Sequence, residues 1–181
     1  VSDFTPHITK VLATNPDVIL CGGPSGPTAM LIQQTRNLGY TGGFICIDQA
    51  KLDAMADIIG MGPLENTIGV QVTEQADSLY GRDFAIKYHE ETGKRLSWET
   101  AINYTAFHLM VESMKIAGSV DDIQAIRAAY AKNSVASPDE WPVEFAGMDN
   151  ATGQLYMPAQ AAITQNGKFV SLPLIRWWEK G

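Results

Sequence analysis

Phe4, Ile8, Val11 and Leu12 recur at helical spacing, so the chain opens with an amphipathic helix. Thr5 is placed to cap it, with Pro6 at its first position, and Asn15-Pro16 stops it. The next residues, Asp17-Val18-Ile19-Leu20-Cys21, are a continuous apolar run rather than an alternating one. Such a run predicts a short strand of a parallel sheet, covered on both faces. A glycine- and proline-rich turn follows from Gly22 to Thr28, and Pro27 begins a helix that Gly39 ends. Phe44-Ile45-Cys46-Ile47 repeats the buried-strand pattern, residues 51–59 read as a short helix, and residues 67–72 form a third strand. The alternation predicts right-handed βαβ crossovers and a parallel sheet. The expected class is α/β, a three-layer αβα lobe spanning residues 1–92.

The pattern changes after Val72. Residues 82–92 carry Phe84 and Tyr88 on one helical face, and Gly93 ends that helix. Residues 97–117 form a long helix whose only charges after Glu99 are Glu112 and Lys115, the pattern of a mostly buried helix. Ser119-Val120-Asp121-Asp122 has the form of a capping box, with Asp in place of Glu or Gln. It starts a helix that turns Ile123, Ile126 and Tyr130 inward. Beyond Ser137 the pattern becomes β, and Gln165-Asn166-Gly167-Lys168 between two apolar pairs predicts a hairpin. The two halves, 1–92 and 93–181, look like pieces of different units.

Composition narrows the function classes. Of the 181 residues, 45% are hydrophobic and 18% charged, ordinary for a globular protein and unlike a disordered one. No apolar run approaches the roughly 20 residues of a membrane span. The net charge of −7 disfavours nucleic acid as a partner, because phosphate binding needs clustered Lys and Arg. The chain begins with Val1 rather than Met, as expected of a processed product or fragment from which any signal peptide has been removed.

Ser25 follows a strand and precedes a helix, the place of a hydrolase nucleophile. The local run Gly23-Pro24-Ser25-Gly26-Pro27 nevertheless departs from G-x-S-x-G, and capping or ligand hydrogen bonding is the simpler role. The turn also lacks the G-x-G-x-x-G and Walker patterns of phosphate loops, so neither a cofactor nor a nucleotide is expected. In open α/β sheets small ligands sit beyond the carboxyl ends of the strands. The candidates there are Pro24, Ser25 and Thr28 after the first strand, and Asp48 and Gln49 after the second. Asp48 ends an apolar strand where a carboxylate could meet a cationic group, although an Asp there could equally cap the next helix. His7, His89 and His108 show no metal-ligand spacing, so no metal is expected. The pairs Glu90-Glu91 and Asp121-Asp122 read as solvated helix charges, and Trp177-Trp178 as packing near a terminus. Cys21 and Cys46 fall in neighbouring strands. Buried free thiols are the simpler expectation, because a bridge between adjacent parallel strands strains the geometry.

Asp3-Phe4-Thr5-Pro6 with Asn15-Pro16-Asp17-Val18-Ile19 resembles the DF-x-P…(N)PD-V segment of type I periplasmic binding proteins of ABC transporters, the leucine/isoleucine/valine-binding type. Gly22-Gly23 and Gln33-Gln34-Thr35-Arg36-Asn37-Leu38-Gly39-Tyr40 match its GG…QAR-x-x-G stretch. Ala101-Ile102-Asn103-Tyr104-Thr105-Ala106, Ala117-Gly118-Ser119, Phe145-Ala146-Gly147 and Asn166-Gly167-Lys168 continue it in order. The resemblance implies a non-enzymatic protein that delivers an amino acid or related solute to a membrane permease from the periplasm, or from an extracellular, membrane-anchored position. A ligand-sensing domain on the same fold is the alternative, and an α/β hydrolase using Ser25 a third. It also implies that the chain is the C-terminal half: residues 1–92 from lobe 2, and residues 93–181 returning to lobe 1. In such proteins lobe 1 holds the ligand carboxylate. Lobe 2 supplies a residue just after GG, here Pro24, and an acidic residue facing the ammonium, here Asp48. Pro24 departs from the aromatic residue often found there and removes a stacking or hydroxyl contact. Missing partner strands imply that the isolated chain self-associates.

Overall fold

The computed structural model describes residues 3–70, 82–132, 141–143, 145–157, 161–173 and 175. The end of the predicted third strand (71–72), the start of the predicted β region (137) and Trp177-Trp178 lie outside them.

The chain forms two compact units, Val1–Val72 with Gln160–Pro173, and Thr73–Ala159 with Leu174–Gly181. The first unit includes the hairpin, which shares a sheet with the first three strands. In the first unit, five strands lie in the order β1 (Val18–Gly22), β2 (Gly43–Ile47), β3 (Thr67–Val70), β4 (Ala161–Gln165) and β5 (Lys168–Ser171). β1, β2 and β3 are parallel, as the α/β pattern predicts. β4 pairs antiparallel with β3, and β5 with β4. The hairpin is made by Asn166 and Gly167, with φ of 53° and 70°, the two left-handed residues that a tight two-residue turn requires.

Helices α1 (Thr5–Leu12), α2 (Ser25–Asn37) and α3 (Leu52–Ile59) complete this unit. Two helix starts differ from expectation. α1 takes Phe4 rather than Thr5 as N-cap, and Asp3 Oδ1 instead accepts from the Thr5 amide at 2.9 Å. α2 begins at Ser25, two residues before Pro27, with Pro24 as N-cap. Ala29 and Ile32 of α2 and Leu52 and Met55 of α3 bury against Phe44, Cys46 and Ala162. Gly69 allows α3 to come this close: a Cβ there would meet Leu52 Cγ at 3.0 Å.

The covering is one-sided over β1 and β2, contrary to the expectation of strands covered on both faces. Phe44 and Cys46 are buried, while Ile45 and Ile47 between them are 39% and 49% exposed. On β1, Val18 and Leu20 are 51% and 64% exposed.

The second unit contains α4 (Arg82–Thr92), α5 (Trp98–Ala117) and α6 (Ile123–Lys132). Ser97 caps α5 by accepting from the Thr100 amide at 3.2 Å, and Gly118, with φ of 64°, ends it. Asp122, not Ser119, caps α6: its Oδ1 accepts from the Ala125 amide at 3.0 Å. Ser119 Oγ accepts from the Asp121 and Asp122 amides, holding the turn that precedes the cap. Ala85, Leu96, Ala101 and Val143 form a small core, and Phe84 packs on Tyr104 with ring centroids 4.6 Å apart. Ile126 is buried, but Ile123 is 75% exposed rather than turned inward. α5 likewise has one open side, with Phe107, Met110 and Ile116 exposed.

Candidate functional site

β1 and β2 end level with each other, because the last register pair is Gly22 with Ile47. The approach is close: a Cβ at Gly22 would stand 2.8 Å from Ile47 Cγ1. The two loops that follow therefore leave the carboxyl edge of the sheet side by side, one carrying Pro24, Ser25 and Thr28, the other Asp48 and Gln49.

Ser25 ties these loops together. Its hydroxyl donates to the Gln49 carbonyl at 2.7 Å and accepts from the Lys51 amide at 3.1 Å. The Ser25 hydroxyl hydrogen is directed at a carbonyl, which cannot act as a base, and among the described residues no His, Asp or Glu side chain accepts from it. Pro24 is exposed at the N-cap of α2, and its carbonyl accepts from the Thr28 amide at 3.1 Å. Thr28 is buried, one turn into the helix, with its hydroxyl beside Gly23.

Asp48 adopts φ of 61°, a left-handed conformation that Asp tolerates better than most residues. The turn closes with the Ala50 amide donating to the Ile47 carbonyl at 3.3 Å. Asp48 does not cap the next helix: the N-cap of α3 is Lys51, whose side chain makes no capping bond. Asp48 and Gln49 are exposed, and among the described residues no side chain pairs with the Asp48 carboxylate. The structure thus brings Pro24, Ser25, Asp48 and Gln49 to one edge, and sets Thr28 beneath it.

Just below the loops, Cys21 and Cys46 face each other with sulfurs 3.5 Å apart. Hydrogen bonding from Cys46 holds the Cys21 thiol below its ordinary range, against the opposite pull of burial. The same bond, together with burial, pushes the Cys46 thiol up.

Arg36 is a residue whose role the sequence pattern does not disclose. It fans its guanidinium over backbone carbonyls: Nε donates to Pro63 at 3.0 Å, Nη1 to Tyr40 at 2.9 Å and Gly42 at 2.7 Å, and Nη2 to Glu65 at 2.7 Å. Its charge is spent on the loops entering β2 and β3. His108 stacks on Tyr104 at 4.3 Å and lies near Phe107 and Trp141, the packing role expected of it. Among the described residues no group of three His, Cys, Asp or Glu side chains is placed to hold a metal. No helix among them is long and apolar enough to cross a membrane.

The family whose sequence model matches is described as periplasmic binding protein, over residues 1–168. Comparison with curated proteins finds no match. Among solved structures, a leucine-binding protein from Thermotoga maritima superposes with a TM-score of 0.78 at 21% identity, over 99% of this chain and 50% of that one. A branched-chain amino acid transporter substrate-binding protein from Streptococcus pneumoniae, in complex with isoleucine, gives 0.77 at 17%, over 97% and 49%. A solute-binding protein of an ABC transporter from R. palustris, in complex with benzoate, gives 0.75 at 15%, over 96% and 47%. The chain spans about half the length of these structures.

Proposed function

Because the chain belongs to the periplasmic binding protein family, we propose that it forms part of a substrate-binding protein that hands an amino acid or related small amine to an ABC transporter. The family is not an enzymatic one, which agrees with a Ser25 hydroxyl engaged by a carbonyl. The observation that carries the reading is the paired loop edge. Ser25 fixes the loops after β1 and β2 against each other, and Asp48, with no partner among the described residues, presents an exposed carboxylate on the second of them. An ammonium meeting that carboxylate gains a charge-assisted bond, stronger once closure of the complete protein removes water. Ser25, Thr28 and Gln49 shape the edge, and Pro24 offers an apolar wall without a hydroxyl. The docking partner is a membrane permease, and the location is the periplasm or the outer face of a membrane.

A second reading has one observation behind it. The R. palustris structure holds benzoate, a carboxylate without an amine, and an organic acid would find Asp48 repulsive. Calorimetry on the full-length protein separates the two. Asp48→Asn should weaken an amine ligand by about 2–5 kcal/mol if the pair is desolvated, and leave the corresponding acid lacking the amine nearly unchanged. Equal small losses for both ligands would remove Asp48 from the site. Tighter binding of the amine-free acid would move the substrate class to organic acids.

A further inference from the structure

The register of β1 and β2 sets Cys21 directly opposite Cys46, on the face that the helices cover. Both thiols are free, with sulfurs 3.5 Å apart. Neighbouring strands lie about 4.8 Å apart, inside the range of Cα separations that a disulfide spans. The backbones therefore already stand at bridging distance. The sulfurs must close from 3.5 Å to about 2.05 Å, a movement within reach of side-chain rotation. Access is unequal: Cys21 is partly exposed and Cys46 is 5% exposed.

We propose that Cys21 and Cys46 form a modification site, a dithiol that oxidises to a cross-strand disulfide by exchange with a small-molecule disulfide. The Cys21 thiolate attacks one sulfur of the reagent and forms a mixed disulfide. The first reagent thiolate leaves and takes up the Cys21 proton. Cys46, already touching Cys21 Sγ, then attacks that sulfur, and the second reagent thiol leaves with the Cys46 proton. Two protein thiols are oxidised and one reagent disulfide is reduced to two thiols. Hydrogen bonding from Cys46 favours the Cys21 thiolate, which makes Cys21 the entry point. The bond would join the roots of the two loops, because Cys21 stands one residue before the end of β1 and Cys46 two residues before Asp48. This chemistry is independent of which ligand the loops bind.

The test incubates the purified, reduced protein with glutathione disulfide, quenches in acid, unfolds and alkylates it, and maps the peptides without reduction. The expected product is two hydrogens lighter, carries no alkylated cysteine and joins the Cys21 peptide to the Cys46 peptide, and dithiothreitol reverses it. Cys46→Ser should instead keep one glutathione on Cys21. Alkylation of both cysteines after oxidation would overturn the proposal. So would glutathione persisting on Cys21 in the unmutated protein, or disulfides found only between two copies of the chain. The peptide map of the unmutated protein decides the matter even if a variant fails to fold.

Discussion

Replacing Arg36 by Met keeps much of the side chain's length and removes every donor. Four carbonyls lose their partners: Tyr40 and Gly42 on the loop entering β2, and Pro63 and Glu65 on the loop entering β3. A hydrogen bond to a charged group contributes about 1.5–3 kcal/mol net, so simple addition gives about 6–12 kcal/mol. That sum is too large. Arg36 is only half-buried, so water can reach part of what is exposed by the change. Burial also opposes the guanidinium's charge, holding its pKa below the ordinary arginine value. Ordering the side chain costs up to about 2 kcal/mol more. Its placement 4.7 Å from the Phe44 ring centroid returns about 0.5–1 kcal/mol. A loss of about 3–5 kcal/mol remains, as expected if about two of the four carbonyls are left without donor or water at about 1–3 kcal/mol each.

The assay is hydrogen exchange at the amides the clamp holds in register, Gly43 donating to Asp17 and Phe44 donating to Asn66. At about 1.4 kcal/mol per factor of ten, Arg36→Met should lower their protection by about two to three and a half orders of magnitude. Arg36→Lys should recover less than half of that loss, because an ammonium donates from a single point and cannot span four separated carbonyls. A loss of less than about tenfold for Arg36→Met would refute the clamp. So would an Arg36→Lys variant indistinguishable from the unmutated chain.

Burial holds the Tyr40 hydroxyl neutral above its ordinary value, with the Arg36 charge pulling the other way. A raised folded value means stability that is complete below the unfolded pKa of about 10 and lost as pH climbs through the folded one. Urea midpoints of the first unit should therefore fall on the alkaline side of about pH 10, and Tyr40→Phe should flatten that fall; an unchanged slope would exclude Tyr40 as its source. Glu65 accepts from the Asn166 amide at 2.9 Å and the Gly167 amide at 3.5 Å. Glu65→Ala should cost about 1 kcal/mol and speed exchange at those two amides while sparing β1. The exposed face with Val18, Leu20, Ile45 and Ile47 should make the isolated 181-residue chain associate in sedimentation. Leu20→Lys should shift it toward monomer, and a monomer at every concentration without the change would defeat this expectation.

Much of the first unit was legible because short apolar runs between helical patterns have few alternatives. The runs at 18–21 and 44–47 became β1 and β2 in parallel, and Asn166-Gly167 became the turn of the hairpin. Helix starts were harder, because several residues near each start could cap. Thr5 and Pro27 carry the right chemistry, yet the chain begins α1 at Thr5 itself and α2 at Ser25. The loop tie through Ser25 was not readable, since it depends on a carbonyl brought from 24 residues away. Arg36 was invisible for the same reason: its acceptors are backbone atoms, which leave no residue-type signature. The position of Asp48 at the sheet edge could be read from its strand, whereas its left-handed turn could not.

The largest departure between pattern and structure concerns burial. A continuous apolar run encodes a strand shielded on both sides, and β1 and β2 keep that encoding, yet Val18, Leu20, Ile45 and Ile47 stand open. α5 and α6 show the same discrepancy at Phe107, Met110, Ile116 and Ile123. Scattered exposed apolar residues need no explanation, but these fall on adjacent strands in one unit and on packed helices in the other. Their register with otherwise buried neighbours makes chance a poor account: Ile45 lies between Phe44 and Cys46, which are 1% and 5% exposed. If the chain is part of a longer substrate-binding protein, as proposed above, the rest of that body would cover both faces, because hydrophobic patterning answers to the complete folded body. On this view the apolar runs at 18–21 and 44–47 are consistent with the expected three-layer lobe, and the open face is where its third layer would lie.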